Sequence, residues 1–147
     1  RGILRENILL AKELWTKDEA SFSGKHIQFE SSWAWPKPTT KPHPPILMGG
    51  AAGPKTAAHI AEFCDGWMPL GGMYDFEGGM KNVADACNAI GRDPSSLQIS
   101  VFYGMGCPDA DTIKKHADQG VKRVICALPP QPADAALPML DQYAKNI

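Results

Sequence analysis

The chain has 147 residues, 44% of them hydrophobic, and a formal net charge of −1. That length carries one domain with a real core, and the balanced charge argues against non-specific binding to nucleic acid or anionic membrane. No apolar run reaches the length of a membrane span and no signal-peptide pattern opens the chain, so a cytoplasmic location is the expectation.

Residues 2–16 form an amphipathic helix. Leu4, Ile8, Ala11 and Trp15 recur at helical spacing, and Arg5, Glu6, Lys12 and Glu13 fall between them. This pattern is under way within the first few residues with no Met before it, which fits a piece of a longer protein. Residues 19–45 change character. The run from Phe22 to Phe29 reads as a turn followed by a short alternating strand, with Ile27 and Phe29 on one face. Trp33 and Trp35 follow, and then a connector stiffened by Pro36, Pro38, Pro42, Pro44 and Pro45, which exclude helix and central strand. Loops of this length inside a domain are usually functional or disordered. The two tryptophans either line a substrate pocket or cap the end of a core.

Residues 45–69 organise the rest. Ile46 to Met48 suits a short buried parallel strand. Gly49, Gly50 and Gly53 follow at once, and Pro54 stands at the first position of a helix, where its missing N–H costs nothing. Ala57, Ala58, Ile60, Ala61 and Cys64 then form one apolar stripe. A glycine-rich turn from a strand into a helix lets the backbone approach a ligand closely, and the open amides of the first turn, with the helix dipole, favour an anion. Lys55 adds a charge and Thr56 a hydroxyl, so a phosphate is the natural ligand; the alternative is a plain tight turn. The spacing is neither the Rossmann nor the Walker pattern. A second strand runs from about Gly66 to Leu70.

Asp75 opens a helix from about Phe76 to Ala89, closed by Gly91. Leu97 to Tyr103 is a strand. Asp109 to Gln119 is a shorter helix, capped by Asp109 or Asp111 and closed by Gly120; His116 lies in its last turns, where positive charge meets the dipole favourably. Val121 to Leu128 is the last strand, and residues 133–145 are a final helix with Ala136, Leu137, Leu140 and Tyr143 on one face. Strand–helix alternation four times over argues an α/β fold with a parallel sheet. Four such units are half of a (β/α)8 barrel, which typically takes about 250 residues.

Cys64, Cys87, Cys107 and Cys126 are widely spaced without a C-x-x-C, and read as reduced packing residues. His26, His43, His59 and His116 make no metal spacing, and no metal site is expected. Asp65, Asp75 and Glu77 sit at strand–helix junctions, where a strand-end or cap role accounts for them. No catalytic residue is assigned.

With the unit at 45–69, the Gly-Arg-Asp-Pro at 91–94, the Gly-Val-Lys-Arg-Val-Ile at 120–125, Leu14-Trp15-Thr16, the Phe22-x-Gly24 turn and the Pro-rich run into Pro44-Pro45-Ile46 in view, the chain resembles the luciferase-like monooxygenase superfamily. It is most similar to the subgroup of oxidoreductases that use the deazaflavin coenzyme F-420. The resemblance covers essentially the whole chain but only the C-terminal half of the family's TIM barrel. It implies that residues 1–147 form a single domain, a (β/α) half-barrel of four parallel strands with residues 19–45 as an insertion. It further implies that the loop of Gly49, Gly50, Ala51, Ala52 and Gly53, with Lys55 and Thr56 beside it, binds the phosphate-bearing tail of F-420 or, alternatively, FMN. Independently of the resemblance, Trp33 and Trp35 are the candidates for contact with a small-molecule substrate, with a core-capping role as the alternative. The family's cofactor performs hydride transfer while the protein positions it.

The family's N-terminal half, with much of the ring pocket and the usual acid–base residues, has no counterpart here. Three readings stand: a fragment or half-barrel of an F-420-dependent oxidoreductase, an FMN-dependent monooxygenase of the same superfamily, and a non-catalytic half-barrel module. A lone half-barrel exposes two sheet edges, so either a homo-oligomer or a missing N-terminal half-barrel is the expected partner.

Overall fold

The computed structural model describes residues 2–146, and the chain divides after Ile46 into two units, each with its own set of contacts. The N-terminal unit begins with helix α1, Gly2–Thr16, followed by an antiparallel hairpin of β1, Ala20–Ser23, and β2, Gln28–Ser32. The first strand of this hairpin is absent from the sequence expectation: Ala20 to Ser23 alternates apolar and polar residues and its burial alternates with them, but four residues, two of them serine, make a weak strand signal.

Glu6 is the buried residue of α1, whereas its apolar neighbours Ile3 and Leu4 are exposed. Its carboxylate accepts the backbone N–H of Lys25 at 3.0 Å, of His26 at 2.8 Å and of Ile27 at 2.8 Å, closing the hairpin turn. Burial opposes ionisation of this carboxyl, but the three amides and the nearby His26 outweigh it and hold its pKa below the usual value. Beyond β2 the chain runs without regular structure to Ile46, and the peptide bonds before Pro36 and Pro42 are cis. Lys37 ties this stretch to α1 by donating to the carbonyls of Leu14, at 2.7 Å, and Lys17.

The C-terminal unit contains β3 (Leu47–Gly49), α2 (Pro54–Phe63), β4 (Gly66–Met68), α3 (Phe76–Ala89), β5 (Gln98–Tyr103), α4 (Ala110–Asp118), β6 (Arg123–Cys126) and α5 (Ala133–Ala144). Its strands form one parallel sheet in the order β3-β4-β5-β6, so each strand–helix unit lies next to the one before it in sequence. A doubly wound sheet would reverse direction at a switch point; this order never does, and it is the arrangement of a (β/α) half-barrel.

The core of this unit centres on Trp67, Ile60 and Val101, all fully buried, with Ala57, Val83 and Cys87 around them. Trp67 stacks on Phe76 with ring centroids 5.6 Å apart, and α3 passes close over the indole at Gly79, where a Cβ would overlap the ring. Arg92 ends α2 from a distance: its guanidinium donates to the carbonyls of Ala61 at 2.9 Å and Cys64 at 2.8 Å, groups that a helix C-terminus leaves without intrahelical partners. Helices α3 and α4 both end on a glycine, Gly91 and Gly120, where the sequence places the stops. The following amides close the last turns, Arg92 onto Cys87 at 2.9 Å and Val121 onto His116 at 3.0 Å.

One expectation fails and another is refined. Cys107 and Cys126 are not separate packing thiols but a disulfide, with Cα atoms 4.8 Å apart, between the loop after β5 and the end of β6. Their 19-residue separation hides the pairing, because parallel strand order alone brings them together. His116, placed in the later turns of α4 where positive charge meets the dipole, is instead buried with its pKa pushed down by burial, and its Nε2 lies 2.9 Å from the Tyr103 hydroxyl.

Candidate functional site

The turn from β3 into α2 is held open from three sides. Gly50 adopts φ 97°, a backbone conformation that favours glycine, and its carbonyl accepts the Trp67 indole N–H at 2.8 Å. Ala52 is pinned through its carbonyl by the side-chain amide of Asn82 on α3, at 2.9 Å. The Gly53 carbonyl takes the amides of Thr56 and Ala57, both at 2.9 Å, and so closes the first turn of α2. The carbonyls of Gly50, Ala52 and Gly53 are thus engaged. The amides of Ala51, Ala52, Gly53 and Lys55 make no hydrogen bond among the described residues.

Gly53 is the N-cap of α2 and offers no side chain to it. Helices α3 and α4 begin differently, for Asp75 accepts the amide of Gly78 at 2.9 Å and Asp109 that of Thr112 at 2.8 Å. The space over the α2 turn is open, since a Cβ added at Gly50 or Gly53 would meet nothing within 4 Å. A cleft of ≈ 180 Å³ adjoins it, bordered by Ala51, Ala52, Gly53, Tyr74, Asp75 and Asn82. Lys55 is exposed and makes no ion pair among the described residues; the half-buried Thr56 has an unengaged hydroxyl. Free amides, a helix N-terminus and a lysine compose a fit for a phosphoryl group. Asp75, on the α3 side, is the one carboxylate among the residues that line the cleft, so an anion bound here would sit on the α2 side.

The structure brings Gly49, Gly50, Ala51, Ala52, Gly53, Lys55 and Thr56 together on this one turn. Trp33 and Trp35 belong to the N-terminal unit and are 77% and 65% exposed. They cap no core, and the Lys37 ammonium lies 5.2 Å from the Trp35 ring. Trp67 and Asn82, which set the loop, escape a reading of the sequence. Trp67 reads there only as a strand aromatic, and Asn82 is one polar residue in a helix.

A second group lies between α3 and α4. The Tyr103–His116 pair borders a cleft of ≈ 400 Å³ with Phe76, Glu77, Thr112 and Lys115. Phe76 packs edge-on against the imidazole, and Glu77 pairs with Lys115 at 3.0 Å. Burial lowers the His116 pKa against the opposing effect of Gln119, with Lys115 adding to the lowering; burial and Asp109 raise that of Tyr103. Both shifts favour the neutral forms near pH 7, and the phenol and the imidazole share one hydrogen bond at 2.9 Å.

Four parallel strand–helix units in sequential order, with an uncapped glycine turn after the first, define the class: half of a (β/α) barrel with an open amide cradle. The chain belongs to the luciferase-like monooxygenase family, which it matches over residues 1–125. It is 34% identical over 149 residues to an uncharacterised protein of Mycobacterium tuberculosis, covering all of this chain and 51% of that protein. It is 28% identical over 94 residues to an F420-dependent hydroxymycolic acid dehydrogenase of the same organism, covering 64% of this chain and 25% of that protein. With an FMNH(2)-dependent dimethylsulfone monooxygenase of Pseudomonas putida it shares 36% over 62 residues, covering 42% and 16%.

Among solved structures, monooxygenase RslO1 from Streptomyces bottropensis superposes with a TM-score of 0.57 at 21% identity, over 95% of this chain and 40% of that one. An F420-dependent secondary alcohol dehydrogenase gives 0.56 at 16% identity, over 96% and 52%. These two likenesses establish the fold. The chain spans about half the length of the curated relatives it matches best in coverage.

Proposed function

We propose that this chain is the cofactor-tail half of an F-420-dependent oxidoreductase, and that the turn at Gly49, Gly50, Ala51, Ala52 and Gly53, with Lys55 and Thr56, holds the phosphate of the deazaflavin. The single observation that carries this reading is the set of amides at the uncapped start of α2 that are unengaged among the described residues, with Ala51, Gly53 and Lys55 exposed and Lys55 in no ion pair among those residues. When bound, the deazaflavin supplies hydride transfer to or from an organic substrate. The protein's share is to fix the tail: Trp67 and Asn82 pull the loop's carbonyls away, which leaves its N–H groups facing the anion. Similarity to the mycobacterial F420-dependent dehydrogenase supports the choice of cofactor.

FMN is the second reading, favoured by the likeness to the FMNH(2)-dependent monooxygenase, and the same turn would hold its phosphate. Trp33 and Trp35, exposed aromatic surface in the N-terminal unit, are the proposed substrate contacts. The edge positions of β3 and β6, and the exposed Leu137 and Leu140 of α5, support a partner in the form of a second copy or a further half-barrel.

Fluorescence titration of the intact protein with F-420 and with FMN tests the proposal. Saturable binding of F-420, competed by inorganic phosphate, is the expected result; binding of FMN alone selects the second reading, and binding of neither ends both.

A further inference from the structure

We propose that the Cys107–Cys126 disulfide is a thiol–disulfide exchange site whose adjoining pocket takes a small anionic thiol. Both cysteines line a pocket of ≈ 250 Å³ with Ile113, Val121, Lys122 and Arg123. Both are half-buried, whereas Cys64 and Cys87 are 1% and 0% exposed. Lys122 and Arg123 are exposed at the pocket's edge and make no ion pair among the described residues. The pocket therefore combines an accessible disulfide, an apolar wall and two cations. Such surroundings suit a thiol that carries carboxylates, and they stabilise the thiolate that exchange releases.

The chemistry balances as two exchanges. An incoming thiolate attacks one sulfur, the Cys107–Cys126 bond breaks, and the other cysteine leaves as a thiolate while the first is held in a mixed disulfide. A second molecule of the thiol then displaces the first as its symmetric disulfide, and both cysteines end reduced.

Opening the bond would act on a defined segment. The disulfide clamps the loop after β5 onto the end of β6, where Gly106 bridges Ala127 and the Ala127 amide donates to the Tyr103 carbonyl at 2.8 Å. This loop follows a strand C-terminus, as the cofactor turn does, so its release would alter the same end of the sheet.

The test treats the intact oxidised protein with mercaptosuccinate (anionic), 2-mercaptoethanol (neutral) and cysteamine (cationic) at equal thiolate concentration, with iodoacetamide trapping and peptide mass analysis. Native labelling should rise from none to two sites, Cys107 and Cys126, while Cys64 and Cys87 stay protected. After normalising each thiolate to its rate with a neutral small-molecule disulfide, which removes its intrinsic nucleophilicity, mercaptosuccinate should react at least about threefold faster than cysteamine, from a unit charge at the pocket edge in water-like dielectric. The double variant K122A/R123A, which alters exposed side chains only, should abolish that preference, and exchange of the Ala127 amide with deuterium should speed up on reduction. Four thiols in the protein from oxidising buffer, or charge-independent rates in both proteins, would overturn the proposal. Cofactor titration in the oxidised state is a separate readout, so failure here leaves the tail-binding reading intact.

Discussion

Gly53→Asp separates a helix cap from a ligand cradle, because the two make opposite demands on one atom. Gly53 sits at φ −66° and ψ 167°, a conformation open to any residue, and its Cβ would meet nothing within 4 Å. An aspartate there can accept the unengaged Lys55 amide or that of Thr56, stabilising α2 by a few tenths of a kcal/mol, roughly the difference between glycine and a good N-cap. The same carboxylate would stand where the phosphate is proposed to bind. Two unit charges about 4 Å apart repel by about 1 kcal/mol in bulk water and about 4 kcal/mol at an effective dielectric of about 20. Tail affinity should therefore fall between about fivefold and about a thousandfold.

Gly53→Asn supplies the same cap without the charge and should leave most of the affinity in place. Urea denaturation of the unliganded protein and fluorescence titration with F-420 and FMN read the two effects separately. Stability unchanged or higher with binding untouched in Gly53→Asp would refute the cradle, since a full negative charge cannot share that site with a phosphate at no cost.

Two other predictions concern buried polar groups. Glu6→Gln replaces one carboxylate oxygen with a donor that faces amides already donating to it. Hydrogen exchange of Lys25, His26 and Ile27 should accelerate selectively. In the native protein the Glu6 contribution is present above its ordinary pKa of 4.5 and is lost as pH falls through the lowered folded value; exchange at these amides followed from pH 6 to 3 checks the sign. Tyr103→Phe removes the one hydrogen bond that His116 Nε2 makes among the described residues and should cost about 1–3 kcal/mol in chemical denaturation. Because burial lowers the folded pKa of His116, its contribution is present above the ordinary value of 6.5 and declines as pH falls below it through the folded value. NMR titration of the imidazole should place its midpoint below 6.5.

Much of the fold is legible locally because its signals are local. Pro54 at the first turn of α2, Asp75 and Asp109 as caps, and Gly91 and Gly120 as stops each act on residues within one or two turns, so the helix limits follow from spacing alone. The glycine turn is legible as well, but not what holds it: Asn82 reaches Ala52 across 30 positions, a contact no periodicity reports. The hairpin's first strand is missed because its alternation spans only four residues, too short to stand out until pairing with β2 is seen.

The sequence by itself determined four strand–helix units, their order, and a turn whose backbone has no side chain in its way. Tertiary structure alone decided that Cys107 meets Cys126, that His116 is buried against Tyr103, and that Glu6 is the residue α1 buries most deeply while its apolar stripe is at most half-buried. The physical reason is that propensity and capping are properties of neighbouring residues. Burial and charge state depend on which distant groups the sheet order and helix packing bring within a few ångströms.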